Sequence, residues 1–198
     1  MRIAVMVALA FLLMACSTER QTEPQRTATE EMLVSSAADR AVGEIKLDVK
    51  GRSVFVDGSN YKGLDAEYTV AAVRARILKG GARLVSDRKA ADLVVEMRNG
   101  AQSIDQKDFL IGIPTFDVPI PFAGSFKFPQ VALYDRAEDI GVSKLSLADY
   151  NPATGAEFSS SGPIYGFAHQ RRYKILLFIG WSNQDFRPDE NAAAAGGD

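Results

Sequence analysis

The chain has 198 residues, of which 46% are hydrophobic and 24% are charged. These proportions are those of an average globular protein, and they exclude a fibrous repeat and a wholly disordered chain. The formal net charge of −2 gives no electrostatic basis for binding nucleic acid. The length suits one domain better than two.

Residues 1–15 have the layout of a secretory signal peptide. Arg2 provides a short positive start, an unbroken run of apolar or small residues follows, and small Ala15 stands directly before Cys16. The segment resembles the signal of bacterial lipoproteins, in which a leucine three positions before the cysteine, here Leu13, helps to direct cleavage. The resemblance implies that the signal is removed and that Cys16 carries acyl chains such as palmitate.

Two other interpretations of this segment are a membrane-spanning helix and the signal of a plain secreted protein. A spanning helix needs about 20 apolar residues, whereas polar Ser17 follows Cys16 at once. A plain secreted signal would leave one unpaired thiol in an oxidising compartment, because Cys16 is the only cysteine. The lipoprotein interpretation accounts for that cysteine. By the usual enterobacterial sorting pattern, Ser17 at the next position favours the outer membrane.

Two amphipathic helices are predicted in the first half of the mature chain. Residues 16–26 are polar and indicate a flexible tether. Thr27 and Glu30 have the spacing of a capping box, and the apolar stripe behind them predicts a helix over residues 28–43. A second apolar stripe, over residues 64–78, is followed by a glycine pair that ends the other helix.

The remaining patterned segments predict β-strands separated by turn residues. They cover residues 53–58, 82–86, 91–98, 131–134, 142–150, 157–161, 164–168 and 173–181. The last segment is apolar on both faces, which predicts a buried strand. Residues 135–138 are predicted to form a solvated turn, and residues 151–155 the turn of a hairpin.

The order of helices and strands predicts an α+β fold. We expect a two-layer α/β sandwich with a mixed or antiparallel sheet, two amphipathic helices and a strand-rich C-terminal third. A single globular domain over residues 27–186 would hold all of these elements. Residues 187–198 are of low complexity and are expected to form a disordered tail.

Residues 108–130 are unusual because they interleave phenylalanines with prolines. Prolines at this density are expected to exclude a helix and a central strand, so the segment is predicted to be a long loop. Its rings would either pack onto the core of their own domain as a flap or form an exposed surface for a partner or a lipid headgroup region. The five rings are Phe109, Phe116, Phe122, Phe126 and Phe128.

The sequence offers no catalytic, cofactor or metal signature of comparable strength. His169 is the only histidine, so a zinc site is not expected. It could form a catalytic triad with a serine of residues 159–161, but no nucleophile elbow is present, and a surface histidine is the simpler interpretation. Asp135, Glu138 and Asp139 could bind calcium, although their spacing misses the EF-hand pattern.

The mature chain resembles a family of uncharacterised bacterial lipoproteins with a single domain of unknown function. The matching stretches are residues 26–30 (RTATE) with the helix behind them, 91–96 (ADLVVE), 110–114 (LIGIP), 144–147 (KLSL), 151–155 (NPATG) and 161–162 (SG). A weaker, topological likeness links the strand order to periplasmic domains of the curli-secretion lipoprotein type. Neither resemblance assigns a role to any residue.

These observations predict a lipid-anchored envelope protein at the periplasmic side of the outer membrane. We expect a non-enzymatic binding or assembly component, held to the membrane through Cys16 and with an envelope protein as its partner. The alternative is a periplasmic hydrolase with an unrecognised active site. A cleft of convergent titratable residues would distinguish that enzyme from a binding protein.

Overall fold

A computed structural model describes residues 26–122 and 124–186 of the chain. The predicted signal peptide, the tether up to residue 25, the lipid site at Cys16 and the predicted tail lie outside the described residues. Among the described residues, no helix is both long and apolar enough to cross a bilayer.

Two helices and eight strands follow one another along the chain. They are α1 (Ala28–Gly43), β1 (Ser53–Asp57), α2 (Ala66–Lys79), β2 (Arg83–Leu84), a 3₁₀ turn (Arg88–Ala90), β3 (Leu93–Ile113), β4 (Phe116–Ile120), β5 (Gly124–Phe128), β6 (Val131–Tyr150), β7 (Glu157–Ile175) and β8 (Ile179–Gln184).

Six of the strands form one mixed sheet in the order β2-β1-β3-β6-β7-β8. The first three strands of that order are parallel and the other pairings are antiparallel. Both helices pack on one face of the sheet, where α1 residues such as Ala41 and α2 residues such as Ile77 meet Met97 and Leu145 in one buried cluster. The predicted α+β, two-layer fold is confirmed.

Helix α1 begins and ends where the sequence predicts. The Thr27 hydroxyl accepts a hydrogen bond from the Glu30 backbone N–H, and the Glu30 carboxylate accepts one from the Thr27 N–H, so the capping box is formed. The predicted apolar stripe is buried. Helix α2 also lies within two residues of its predicted bounds.

Two glycines let α1 approach the sheet closely. A Cβ atom built on Gly141 of β6 would lie 2.3 Å from the Leu33 carbonyl oxygen, and one on Gly166 of β7 would lie 1.9 Å from the Ala37 carbonyl oxygen. Contacts this short do not occur between real atoms, so only glycine fits beneath the helix at both places. The helix therefore runs diagonally across β6 and β7.

Strands β3, β6, β7 and β8 continue beyond the helices as a β-arm, which we define as residues 105–122, 124–140 and 169–184. The arm begins after the cross-strand row of Ile104, Gly141 and Ala168. The sheet face turned away from the helices, here called the outer face, carries no helix in the described part of the chain.

Three predictions about the strands are wrong. Residues 108–130 form the end of β3 and a β4–β5 hairpin instead of a loop. Pro114, Pro121 and Pro129 lie between strands, and Pro119 lies in a two-stranded sheet in which each strand is an edge, the place where a missing N–H is tolerated. Residues 135–138 are part of β6, because they pair on both sides.

The segment predicted as a buried strand, residues 173–181, is also different. It contains the end of β7, a turn and the start of β8, and its large side chains are mostly exposed. A strand that is apolar on both faces is buried only if other elements cover both of its faces. At this place the sheet extends beyond the helices, so the strand ends stay exposed.

Gly166→Ala tests the close packing of α1 on the sheet. We expect this substitution to lower the free energy of unfolding by about 1–3 kcal/mol, because the added methyl forces the helix away from β7. Gly162→Ala in the same strand is the control, since a Cβ there meets nothing within 4 Å, and it should change stability by less than about 0.5 kcal/mol. Urea unfolding of both variants measures the difference. Equal losses of unfolding free energy in the two variants would contradict the close contact between α1 and Gly166.

Candidate interaction surface on the β-arm

The β-arm holds most of the exposed apolar side chains of the described residues. Of twenty large apolar residues that are exposed, fourteen lie on the arm. They are Phe109, Ile111, Ile113, Phe116, Val118, Ile120, Phe122, Phe126, Leu133, Leu176, Leu177, Phe178, Ile179 and Trp181. Isolated exposed apolar residues are ordinary, whereas exposed apolar patches larger than a few hundred Å² mark interaction sites. The concentration of exposed apolar residues makes the arm the candidate surface.

The five phenylalanines singled out in the sequence all lie on the arm. Phe109, Phe116, Phe122 and Phe126 are exposed, with Phe109 at 55% and Phe122 fully open to solvent. Phe128 is half-buried and stacks on Phe116 with ring centroids 4.9 Å apart. Most of the rings are therefore exposed and not packed as a flap onto the core. That they contact a partner or a lipid headgroup region stays a prediction.

The β4–β5 hairpin is amphipathic. Phe116 pairs with Phe128, Val118 with Phe126, and Ile120 with Gly124. Residues directly opposite in an antiparallel pair share a face, and alternate residues along a strand do so as well. These six positions therefore form one apolar face. The other face carries Asp117, Pro119, Ser125 and Lys127.

The outer face of the arm is built from cross-strand rows that change character along its length. Nearest the hairpin is the row Ile111, Tyr134, Ile175 and Ile179. Next comes the row Phe109, Arg136, Tyr173 and Trp181. The third row is Lys107, Glu138, Arg171 and Asn183. Aromatic contacts link them, since the Tyr173 and Trp181 rings stack 5.2 Å apart and Phe109 meets Tyr134 at 6.1 Å.

Glu138 is the electrostatic centre of this face. Its carboxylate accepts hydrogen bonds of 2.7 Å from Arg136 Nη2 and from Arg171 Nε. His169 Nδ1 lies 3.4 Å from the same carboxylate, and Lys107 is the cross-strand neighbour of Glu138 on β3. Burial beneath these long side chains raises the pKa of Glu138, but the hydrogen bonds and charges of Arg171 and Arg136 outweigh it, so the pKa lies below its ordinary value.

The structure does not assemble the triad considered in the sequence. Ser159 pairs with Asp149 of β6, whereas His169 pairs with Ile140, nine residues away along the same strand, or about 30 Å. The Ser159 hydroxyl donates a hydrogen bond to Asp149, a carboxyl only 1% exposed. Burial, with a contribution from Glu157, raises the pKa of Asp149. A buried acid beside a serine, without the histidine, makes no nucleophile–base pair.

The three acidic residues considered for calcium do not converge. Glu138 lies on the outer face, whereas Asp135 and Asp139 point to the opposite face, where Arg172 Nη1 donates a 2.7 Å hydrogen bond to Asp139. Alternation along β6 separates them in this way. The histidine that the sequence placed on the surface is half-buried against Glu138 on an open sheet face, not in a cleft.

Sequence reasoning missed the turn between β7 and β8. Leu176, Leu177 and Phe178 form this turn and are exposed, Phe178 at 81%. A short apolar turn without the usual Asn, Asp or Gly has the same sequence pattern as a continuous strand, so the sequence does not reveal it. The turn lies beside the start of β6, because the Leu177 N–H donates to the Ala132 carbonyl at 3.2 Å.

The sequence profile of one protein family matches residues 10–181 of the chain. It is a family of unknown function (DUF6655), and the match includes both helices and every strand up to Trp181. No curated protein matches the chain. The expected kinship with an uncharacterised family is thus confirmed, and it assigns no residue a role.

Glu138→Gln tests the electrostatic centre. A carboxyl whose pKa is lowered by folding adds stability above its unfolded pKa, near 4.5, and this stability is lost as the pH falls through the folded pKa. The urea midpoint of the wild type should therefore exceed that of the variant at pH 7, and the gap should close below about pH 4.5. Glu44→Gln, at an exposed position after α1, is the control. A gap that stays constant with pH would refute this role.

Proposed function

The chain belongs to a family of unknown function (DUF6655), and we propose that it is a lipid-anchored protein of the bacterial cell envelope that acts by binding. In this proposal it is a lipoprotein at the periplasmic side of the outer membrane. Its signal peptide is removed before Cys16, which carries the lipid. It binds another envelope protein and has no catalytic centre of its own.

The anchor is supported by the sequence at the start of the chain. Leu13, Ala15 and Cys16 stand at the spacing of a lipoprotein signal, and Cys16 is the only cysteine. Arg26, the first described residue, is held to the folded body by a bidentate ion pair. This is consistent with a tether that ends where the fold begins. The Arg26 Nη1 and Nη2 atoms lie 3.0 and 2.9 Å from the Asp65 carboxylate oxygens.

One observation supports binding above the others: the arm exposes neighbouring apolar rings on strands that are already paired with one another. Soluble monomers rarely expose apolar patches larger than a few hundred Å². A row such as Phe109, Tyr173 and Trp181 is also rich in the residue types that dominate protein interfaces. The proposed protein-binding surface is Phe109 with the neighbouring outer face. The apolar surface continues to the end of the arm through Phe116, Phe122, Phe126 and Phe128 of the hairpin.

The finer family likeness belongs to the same proposal. A periplasmic domain of the curli-secretion lipoprotein type would also carry a lipid on an N-terminal tether and an α/β body. The β-arm of the present chain is where we place its binding activity.

Cys16→Ala tests the anchor. The variant should be exported behind a signal peptide of the plain secreted type, so that cleavage still occurs without lipidation. We expect a folded protein recovered mainly in the soluble periplasmic fraction, because stable anchoring takes more than one weak membrane signal. Fractionation followed by a high-salt wash measures the loss. A variant that stays in the outer-membrane fraction would refute the lipid anchor.

A photo-crosslinking residue at Phe109 tests the binding surface in living cells. We expect adducts with an envelope protein, because Phe109 stands open on the outer face. The same residue placed at Leu78, which is 50% exposed on α2, is the matched control and should give none of these adducts. Identical adducts from both positions, or none from Phe109, would contradict the proposed surface.

A further inference from the structure

We propose that the end of the β-arm inserts shallowly into the bilayer that holds the lipid anchor. The inserted part, here called the arm tip, is the β4–β5 hairpin and the Leu176–Phe178 turn. The inference rests on the proposed function, since it takes the anchor at Cys16 as its premise, and it gives the hairpin phenylalanines a lipid rather than a protein partner.

The hairpin has the geometry of an element that lies in a membrane surface. Its apolar face holds Phe116, Val118, Ile120 and Phe126, all of them exposed, whereas Asp117 and Lys127 face each other on the opposite side. An amphipathic segment of this kind lies in the interface plane with its apolar face toward the acyl chains. Burial of that face removes apolar area from water, which drives the association.

The arm tip is almost free of charge. Residues 109–134 and 175–182 comprise the arm tip and the strand ends next to it. They contain two charged side chains, Asp117 and Lys127. These two are opposite each other in the hairpin register. A protein partner of ordinary polarity would leave some polar contacts at such a surface, whereas a lipid layer requires their absence.

Strained backbone presents apolar side chains at both turns. Leu176 has φ 50° and Leu177 φ 73° in the β7–β8 turn, and Phe122 has φ 64° next to the hairpin turn. Non-glycine residues with positive φ cost free energy, and asparagine or glycine is usual in such turns. Here the strained positions hold large apolar residues that stand in solvent, which indicates that an external apolar phase receives them.

The order of side chains along the arm matches the layers of a membrane surface. On the outer face the apolar tip comes first, the row of Tyr173 and Trp181, which also holds Arg136, comes next, and then the charged row with Glu138 and Arg171. On the opposite face the first charged pair, Asp135 and Lys174, lies at the level of the Tyr173 row. Tyr and Trp concentrate at the level of lipid headgroups, and long Lys and Arg side chains near a membrane surface reach the same level. Trp181 is two residues from Ile179, or about 7 Å along β8.

The tether is long enough for anchor and tip to reach one membrane. Leu33 of α1 lies against Gly141, and Ala37 lies against Gly166 one row farther from the tip, so the start of the helix is directed toward the arm. The ten residues from Gly141 to Val131 span about 33 Å. The ten-residue step from Cys16 to Arg26 spans at most about 36 Å.

The hairpin's own backbone limits the depth of insertion. In hydrocarbon every N–H and C=O group must be paired, but each strand of a two-stranded sheet has one open edge. Those edges can be hydrated at the headgroup level and not at the bilayer centre. The insertion is therefore shallow, and the turns and phenylalanine rings reach only the outer part of the acyl layer.

Trp181 reports on this arrangement because it is the only tryptophan in the chain. The lipidated protein is reconstituted into vesicles of phosphatidylethanolamine and phosphatidylglycerol, with bromine either near the headgroup end or near the methyl end of the acyl chains. Flotation measures the anchor, and Trp181 fluorescence measures the tip. We expect a blue shift of the emission and stronger quenching by the shallow bromines than by the deep ones.

The triple variant Phe122→Ser, Phe126→Ser, Phe178→Ser should lose the blue shift and the quenching while it still floats with the vesicles. The three replaced phenylalanine side chains are exposed, so we expect the fold to be retained, and circular dichroism checks this. Asp117→Ser, on the polar face of the same hairpin, is the matched control and should behave as the wild type. The single variant Phe178→Ser should give a partial loss.

Three results would overturn the inference in distinguishable ways. A wild-type protein that floats but shows no shift or quenching of Trp181 would refute tip insertion and leave the anchor intact. A lipidated protein that fails to float would refute the anchor and the inference with it. Stronger quenching by the deep bromines than by the shallow ones would refute the shallow placement.

Discussion

The pairing of β6 on both sides is the constraint on which the rest of the molecule depends. This strand is hydrogen-bonded to β3 from Val131 to Tyr150 and to β7 from Tyr134 to Tyr150, with few irregularities. Buried or not, a backbone whose N–H and C=O groups are paired needs no core to stay extended. The β-arm can therefore project beyond the helices, and its side chains are free to be chosen for contacts with other molecules.

The body and the arm of the sheet are stabilised in different ways. In the body, α1 and α2 cover one face and bury Leu93, Val95, Met97, Leu145 and Leu147. In the arm, cross-strand pairs replace burial, as in the Glu138 ion pairs and the stack of Tyr173 on Trp181. The same three long strands thus serve a core at one end and an exposed surface at the other.

The sequence predicts what local rules determine and misses what long-range pairing determines. The Thr27 and Glu30 capping box and the apolar stripe behind it place α1, because helix signals are contained within a few residues. The strand over residues 135–138 looks like a solvated turn, since the cross-strand partner of Glu138, Arg171, lies on a strand more than thirty residues away.

The candidate surface was predictable in part. Phe109 and the hairpin phenylalanines stood out by their spacing with proline, but exposure could not be deduced, because an apolar strand has the same pattern whether or not a helix covers it.

The two places where α1 lies directly on a glycine of the sheet, Gly141 and Gly166, also restrict how the strands can pair. In strands about twenty residues long, a shift of two residues between β6 and β7 keeps every side chain on its face. Such a shift would nevertheless move Gly141 and Gly166 out of their places beneath α1. The helix can dock on one alignment of β6 and β7 only, so two missing Cβ atoms select the register in which these two strands pair.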